Sequence, residues 1–133
     1  MRLNLKNIFS ALLLITIAFT FNSCEKNTET TVKIIVRDAY NSLVVGASVV
    51  IDANPDTSVD PGSININNTY RAQTTDYKGE AKFNFSDLHK PGSAGVAILD
   101  VEVQYGSSTG GQTGTGVIKI EPEVETVETI YIQ

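Results

Sequence analysis

Alternation with a period of two recurs from residue 31 to the end of this chain and restricts its fold more than any other feature. In VAILDVEVQY, Ala97, Leu99, Val101, Val103 and Tyr105 take one face, and Asp100, Glu102 and Gln104 the other. TVKIIVRD sets Val32, Ile34 and Val36 against Lys33 and Arg37, and GASVVIDA aligns Ala47, Val49, Ile51 and Ala53. EAKFNFSD puts Ala81, Phe83 and Phe85 inward and Lys82 and Asn84 outward, while Ile118 aligns with Ile120 and Ile130 with Ile132. Successive side chains of a strand point to opposite faces, so each segment reads as a half-buried strand with one face on a core and one in water.

No stretch after residue 30 sustains a 3.6-residue apolar repeat with caps. About seven short strands, counting a weak one around Thr69 to Thr75, predict an all-β, antiparallel β-sandwich over residues 31–133. Turn chemistry falls between the strands. DYKG (Asp76 to Gly79) ends on a glycine suited to positive φ, DAYNS supplies Asn41, and KPGSAG breaks the chain before the long strand. The run GSSTGGQTGTG (Gly106 to Gly116) lacks the Lys-Ser/Thr ending of a phosphate loop and reads as a flexible hairpin connection.

Ahead of the strands, residues 1–23 have the plan of a secretory signal. Arg2 and Lys6 precede an apolar run from Ile8 to Phe21, and the small or polar Asn22 and Ser23 follow. As a helix that run reaches about 21 Å, short of the roughly 30 Å hydrocarbon layer, so cleavage is expected rather than a permanent span. Removing Arg2 and Lys6 takes the formal charge from -5 to -7. A chain that acidic repels phosphate backbones, so no nucleic-acid partner is expected. The chain's one cysteine, Cys24, cannot form an internal disulfide, and it follows the signal directly.

FNSC (Phe21 to Cys24) resembles the lipobox of bacterial lipoproteins, with Phe21 standing where leucine is usual. The resemblance implies that Cys24 is acylated, becomes the new N-terminus and anchors the chain to a bilayer, at the bacterial outer membrane. Two or three acyl chains suffice for stable anchoring at about 0.8 kcal/mol per buried methylene. Residues 24–30 then form a lipidated polar tether, because EKNTET has no apolar residue to bury. Glu25, Lys26 and Glu29 weakly resemble signals that send lipoproteins to the cell surface, which leaves the surface and periplasmic faces both open.

Two further segments resemble the carboxypeptidase regulatory-like and transthyretin-like domains. GASVVI (Gly46 to Ile51) is similar to their GAxVxV strand, and TTDYKGEAKFNFSDL (Thr74 to Leu88) to their TxxxGxFxFxxL hairpin. The resemblance implies a Greek-key sandwich of the transthyretin-like or Ig-like kind, serving as an accessory, spacer or ligand-presenting module without catalysis. The group's hydroxyisourate-hydrolysing branch uses several histidines, an arginine and a C-terminal YRGS; this chain has one histidine and ends IYIQ.

The residues themselves offer little catalytic chemistry. His89, in the DLHKPG turn, reads as a solvated loop histidine, and an acylated Cys24 has no thiol left to react. No enzyme activity, cofactor or metal is expected. Asp52, Asp56 and Asp60 recur every four residues, unlike the one-three-five rhythm of a calcium loop, and Pro55 interrupts them, though a loop calcium site stays open. Glu121, Glu123, Glu125 and Glu128, with Pro122, read as guards on a sheet edge.

The stretch from Asn54 to Thr69 exceeds ordinary connection lengths, so it is either a functional loop or a floppy insertion. If the domain binds a ligand, Asn65, Asn67, Asn68 and Tyr70 are the candidates, with Tyr77 as a companion. Tyr40 and Tyr77 lie in turns. The expected role is a non-catalytic, membrane-anchored interaction or structural module, its partner a protein or a glycan. The alternative is a glycan-binding accessory lipoprotein of a polysaccharide uptake system, which needs exposed aromatic platforms.

Overall fold

The computed structural model describes residues 29–53, 68–89, 95–107 and 110–133. Cys24, the signal and most of the tether, Asp56, Asp60, Asn65 and Asn67 lie outside the described residues. Seven strands form: β1 (Thr31–Arg37), β2 (Ser48–Asp52), β3 (Arg71–Thr74), β4 (Glu80–Asn84), β5 (Ala97–Tyr105), β6 (Gln112–Ile120) and β7 (Glu125–Tyr131). They make two sheets, one ordered β4-β1-β7 and the other β3-β2-β5-β6. The all-β, seven-stranded sandwich is therefore the architecture.

The alternating residues meet where expected. Val32, Ile34, Val36, Ala81, Phe83, Ile130 and Ile132 of the three-stranded side face Val49, Ile51, Leu99, Val101, Val103, Ile118 and Ile120 of the other, all buried in one core. Phe85 and Leu88 close it at one end, fully buried. Each such side chain removed from water contributes about 1.5–3 kcal/mol, which makes alternation decisive for which face turns inward.

Three details differ from the sequence reading. The β1–β7 pair is parallel, with Thr31 beside Glu125 and Arg37 beside Tyr131, whereas the other pairings between the described strands are antiparallel. Parallel neighbours need a long crossover, and here everything between β1 and β7 supplies it. The glycine-rich run is not all connection: Gln112 to Gly116 belong to β6, which pairs with β5 along Glu102↔Thr115 and Gln104↔Thr113. Gly114 and Gly116 point at the opposite sheet, where an added Cβ at Gly114 would lie 2.5 Å from the Tyr131 carbonyl oxygen and one at Gly116 would overlap Ile130 Cδ1. Glycine there is a packing requirement rather than a sign of looseness. Finally, Tyr105 keeps its place in the alternation, but β5 runs past the core and leaves it 41% exposed.

The β7 edge is guarded. β7 is an edge strand, and Glu128, in register with buried Ile34, is nevertheless exposed, an inward-pointing charge of the kind that blocks edge-to-edge pairing. Glu125 lies 4.0 Å from Lys33 and 3.9 Å from Lys82. Pro122 sits in the β6–β7 connection rather than in a strand. Beyond β7, Gln133 exchanges backbone hydrogen bonds with Thr113 of β6 (3.1 and 3.2 Å), stitching the two sheets together.

Candidate functional site

The sandwich has two poles. At the entry pole the chain arrives at Thr30, whose amide donates to Ser86 Oγ, whose carbonyl accepts from Phe85 N–H, and whose hydroxyl accepts from Glu123 N–H. The opposite, turn pole gathers the C-terminal ends of β1, β3, β5 and β7 and the N-terminal ends of β2, β4 and β6, as the strand registers require.

Two turns at the turn pole share one construction. In Asp38–Ser42, Asp38 Oδ1 accepts from the amides of Tyr40 (2.9 Å) and Ser42 (2.8 Å). In Asp76–Glu80, Asp76 Oδ1 accepts from the amides of Lys78 (2.8 Å) and Glu80 (3.0 Å). Each turn also pairs its first and fifth residues through the backbone and places its fourth residue left-handed, Asn41 at φ 65° and Gly79 at φ 67°. Asparagine and glycine are the residues that tolerate that conformation, and an aspartate at the first position mimics a further backbone turn. The Glu80 amide does most to hold the Asp76 carboxyl below its ordinary value; desolvation opposes it, and the Lys78 amide and the charges of Lys78 and Lys82 add to the lowering.

These turns are braced from beneath. Thr75 Oγ1, buried, accepts from Ala47 N–H (2.9 Å) and donates to the Val44 carbonyl (2.8 Å), while the Thr75 backbone bonds to Gly46 and Ala47. Arg37 Nη1 donates to the Asn41 carbonyl (2.6 Å). The braced turns carry Tyr40, 90% exposed, and Tyr77, 79% exposed; the strand ends add Tyr131 at 55% and Tyr105 at 41%. Tyr131 Oη lies 3.4 Å from Asn41 Oδ1, and Lys78 Nζ stands 5.6 Å from the Tyr77 ring centre. Leu43 and Val45 are exposed between the turns. Four of the chain's five tyrosines thus lie at one pole.

The residues expected to act together are divided. Asn68 and Tyr70 sit at the entry pole, Tyr77 at the turn pole, and the four residues of β3 stand between them, about 13 Å at 3.3 Å per residue. Tyr77 is therefore no companion to Tyr70. Asn68 is engaged structurally: its Nδ2 donates to Asp87, which also receives Arg71 Nη2 at 2.8 and 3.0 Å. Arg71 lies over the Phe85 ring at 5.2 Å. Thr69 Oγ1 donates to Asp52 Oδ1 (2.8 Å), closing the base of the 54–67 segment. Sequence reading placed Tyr40 and Tyr77 in turns, but Tyr105 and Tyr131 escaped it as members of the same surface, as did Arg37 and the buried Thr75 as its supports. The repeated pattern of Asp followed three residues later by Asn or Gly was the available signal.

His89 is not solvated in the expected way. Both ring nitrogens are buried and have no hydrogen-bond partner among the described residues. Among the described residues no group of three His, Cys, Asp or Glu side chains could hold a metal ion. A shallow depression of about 360 Å³ lies on the outer face of the four-stranded sheet, lined by Ser48, Val50, Glu102, Gln104, Thr113 and Thr115.

Fold and site together define a two-sheet β-sandwich that presents a tyrosine-bearing set of turns at one end. No family model matches the chain, and no curated protein does either. Among solved structures it is similar to the shaft pilin SpaA from Lactobacillus rhamnosus GG, seen in the crystal structure of a double mutant, with a TM-score of 0.39 and 14% identity. The match covers 80% of this chain and 47% of the pilin chain, so the chain spans about half the length of that protein.

Proposed function

We propose that this chain is a non-catalytic lipoprotein: a β-sandwich interaction or structural module held at the bacterial outer membrane through acylated Cys24. The observation that carries the reading is the cysteine itself, the only one in the chain, placed directly after an apolar run and Asn22-Ser23. The fold is consistent with it. The chain enters the sandwich at Thr30, so an anchor at Cys24 would hold the entry pole toward the bilayer and the turn pole away from it. Five residues, 25–29, separate the cysteine from Thr30, where the domain begins, enough for a short polar spacer.

Growth with labelled palmitate tests the anchor. Label should enter the wild-type protein and be absent from Cys24→Ala; an unlabelled wild type, or a fully labelled variant, rules the anchor out. The exposed tyrosines favour one second reading, glycan binding, which a glycan array probed with wild type and Tyr40→Ser/Tyr77→Ser would reveal.

A further inference from the structure

We propose that the turn pole is a preorganised protein-binding surface, with Tyr40 and Tyr77 as its anchors and a folded, nearly uncharged protein surface as its partner. The outward orientation of this pole rests on the acyl anchor; the surface itself does not.

Two observations set this pole apart from an ordinary exposed end. Its tyrosines are carried on turns that are already fixed, each by an aspartate oxygen that accepts two amides and by a backbone pair, with Thr75 bracing the adjacent strand beneath. Rings on fixed turns lose little conformational freedom when they are covered, which is how loops rich in Tyr, Ser, Gly and Asn bind proteins. The rings also have no internal use where they stand. Tyr40 at 90% and Tyr77 at 79% exposure contribute little to the core, so large amphipathic side chains are kept in water at the pole.

Geometry and charge select the kind of partner. Tyr77, Tyr40 and Tyr131 follow the β4-β1-β7 order, strands about 4.8 Å apart, and Tyr105 ends the facing sheet about 10 Å away. A spread of roughly 10 by 10 Å over separate turns exceeds the platform that one sugar ring covers and suits the buried centre of a protein interface. On an otherwise acidic body the pole carries one net negative charge, Arg37 and Lys78 against Asp38, Asp76 and Glu80, and the Asp38 and Asp76 carboxylates are already occupied by amides. Such a surface has no attraction for polyanions or anionic headgroups.

The test uses the full chain in its own envelope, with a photo-crosslinking amino acid placed singly at Ser42 on the pole and at Lys82 and Val117 on the two outer sheet faces. The expected result is a discrete, protease-sensitive adduct from Ser42 only, reduced at least tenfold when Tyr40→Ser and Tyr77→Ser are added to the same chain. Thermal melts should show that pair folding as the parent does. Equal adducts from all positions, no adduct at Ser42, or an adduct indifferent to the two serines overturns the proposal. An adduct that resists protease and disappears with periodate overturns it in favour of a glycan. Palmitate labelling of the same cells reads the anchor separately: an unlabelled protein that still crosslinks through Ser42 keeps the surface and loses only the anchor.

Discussion

Replacing Gly114 or Gly116 by alanine adds the same methyl group to the same strand, yet the two changes should differ severalfold in cost. At Gly116 the new Cβ overlaps Ile130 Cδ1, and the next atom, Ile130 Cγ1, is at an ordinary 3.8 Å. Only the tip of a side chain must move, and an off-rotamer torsion costs about 0.5–1.5 kcal/mol. Loss of glycine's unfolded-state freedom returns about 0.5 kcal/mol, so Gly116→Ala should destabilise by about 1 kcal/mol or less. At Gly114 the Cβ lies 2.5 Å from the Tyr131 carbonyl oxygen, 2.9 Å from Ile130 Cγ2 and 3.1 Å from Ile132 Cγ2. That carbonyl cannot retreat freely. Ile132 N–H is bonded to the Arg37 carbonyl at 2.9 Å, and Gln133 pairs with Thr113 in both directions. Overpacking of about 1–3 kcal/mol is joined by the loss of one or both Thr113–Gln133 bonds at about 1 kcal/mol each, so Gly114→Ala should cost about 3 kcal/mol.

Urea unfolding of both variants, compared at unchanged m-value, measures the difference. A second comparison isolates the cause. Ile130→Val removes Cδ1, so it should be nearly free in the Gly116→Ala background while costing about 1 kcal/mol in the wild type. It should give no such relief to Gly114→Ala, whose closest contact is backbone. Equal costs at the two glycines, or an Ile130→Val effect independent of background, would refute the close-approach explanation for this segment.

The two similar turns should respond differently to substitution at their left-handed residue. Asn41→Gly should leave the melting temperature within a degree or two, since glycine adopts φ 65° freely, whereas Gly79→Ala should cost about 2 kcal/mol or more. Its Cβ would meet Leu43 Cβ, the Val36 carbonyl and the Val44 nitrogen, each at 3.2 Å. Thr75→Val preserves shape but leaves the Ala47 amide and Val44 carbonyl without their buried partner; about 2–4 kcal/mol should be lost in thermal or urea unfolding. Because Asp76 titrates below its unfolded value, the stability it contributes is present above about pH 4 and is lost as pH falls through the lower folded value. Amide shifts of Lys78 and Glu80 followed by NMR should therefore titrate together at acid pH in the wild type and not in Asp76→Ala. Arg71→Lys should weaken the Asp87 clamp and the Phe85 contact by no more than about 1 kcal/mol, because the pair is partly exposed; a larger loss by urea unfolding would mean the clamp anchors more than the start of β3.

How much of this was legible in the sequence depends on how local its cause is. Alternation in VAILDVEVQY and TVKIIVRD was enough to assign the strands and their inward faces, since one-residue register errors would turn every apolar residue outward. Asn41 and Gly79 announced their turns because few residues accept positive φ. What pairs with what was not local. The parallel placement of β1 beside β7, the use of Gly114 and Gly116 as a seat for Ile130, and the gathering of Tyr40, Tyr77, Tyr105 and Tyr131 at one pole all depend on where the chain crosses between sheets. A sequence window sees five glycines near a hairpin as looseness; only the opposite sheet, pressed within contact distance, makes Gly114 and Gly116 necessary. Likewise Tyr70 and Tyr77 are near in sequence, and an extended strand carries them to opposite ends of the molecule. Side-chain chemistry chose the strands, and the closing of two sheets on one another chose the company each residue keeps.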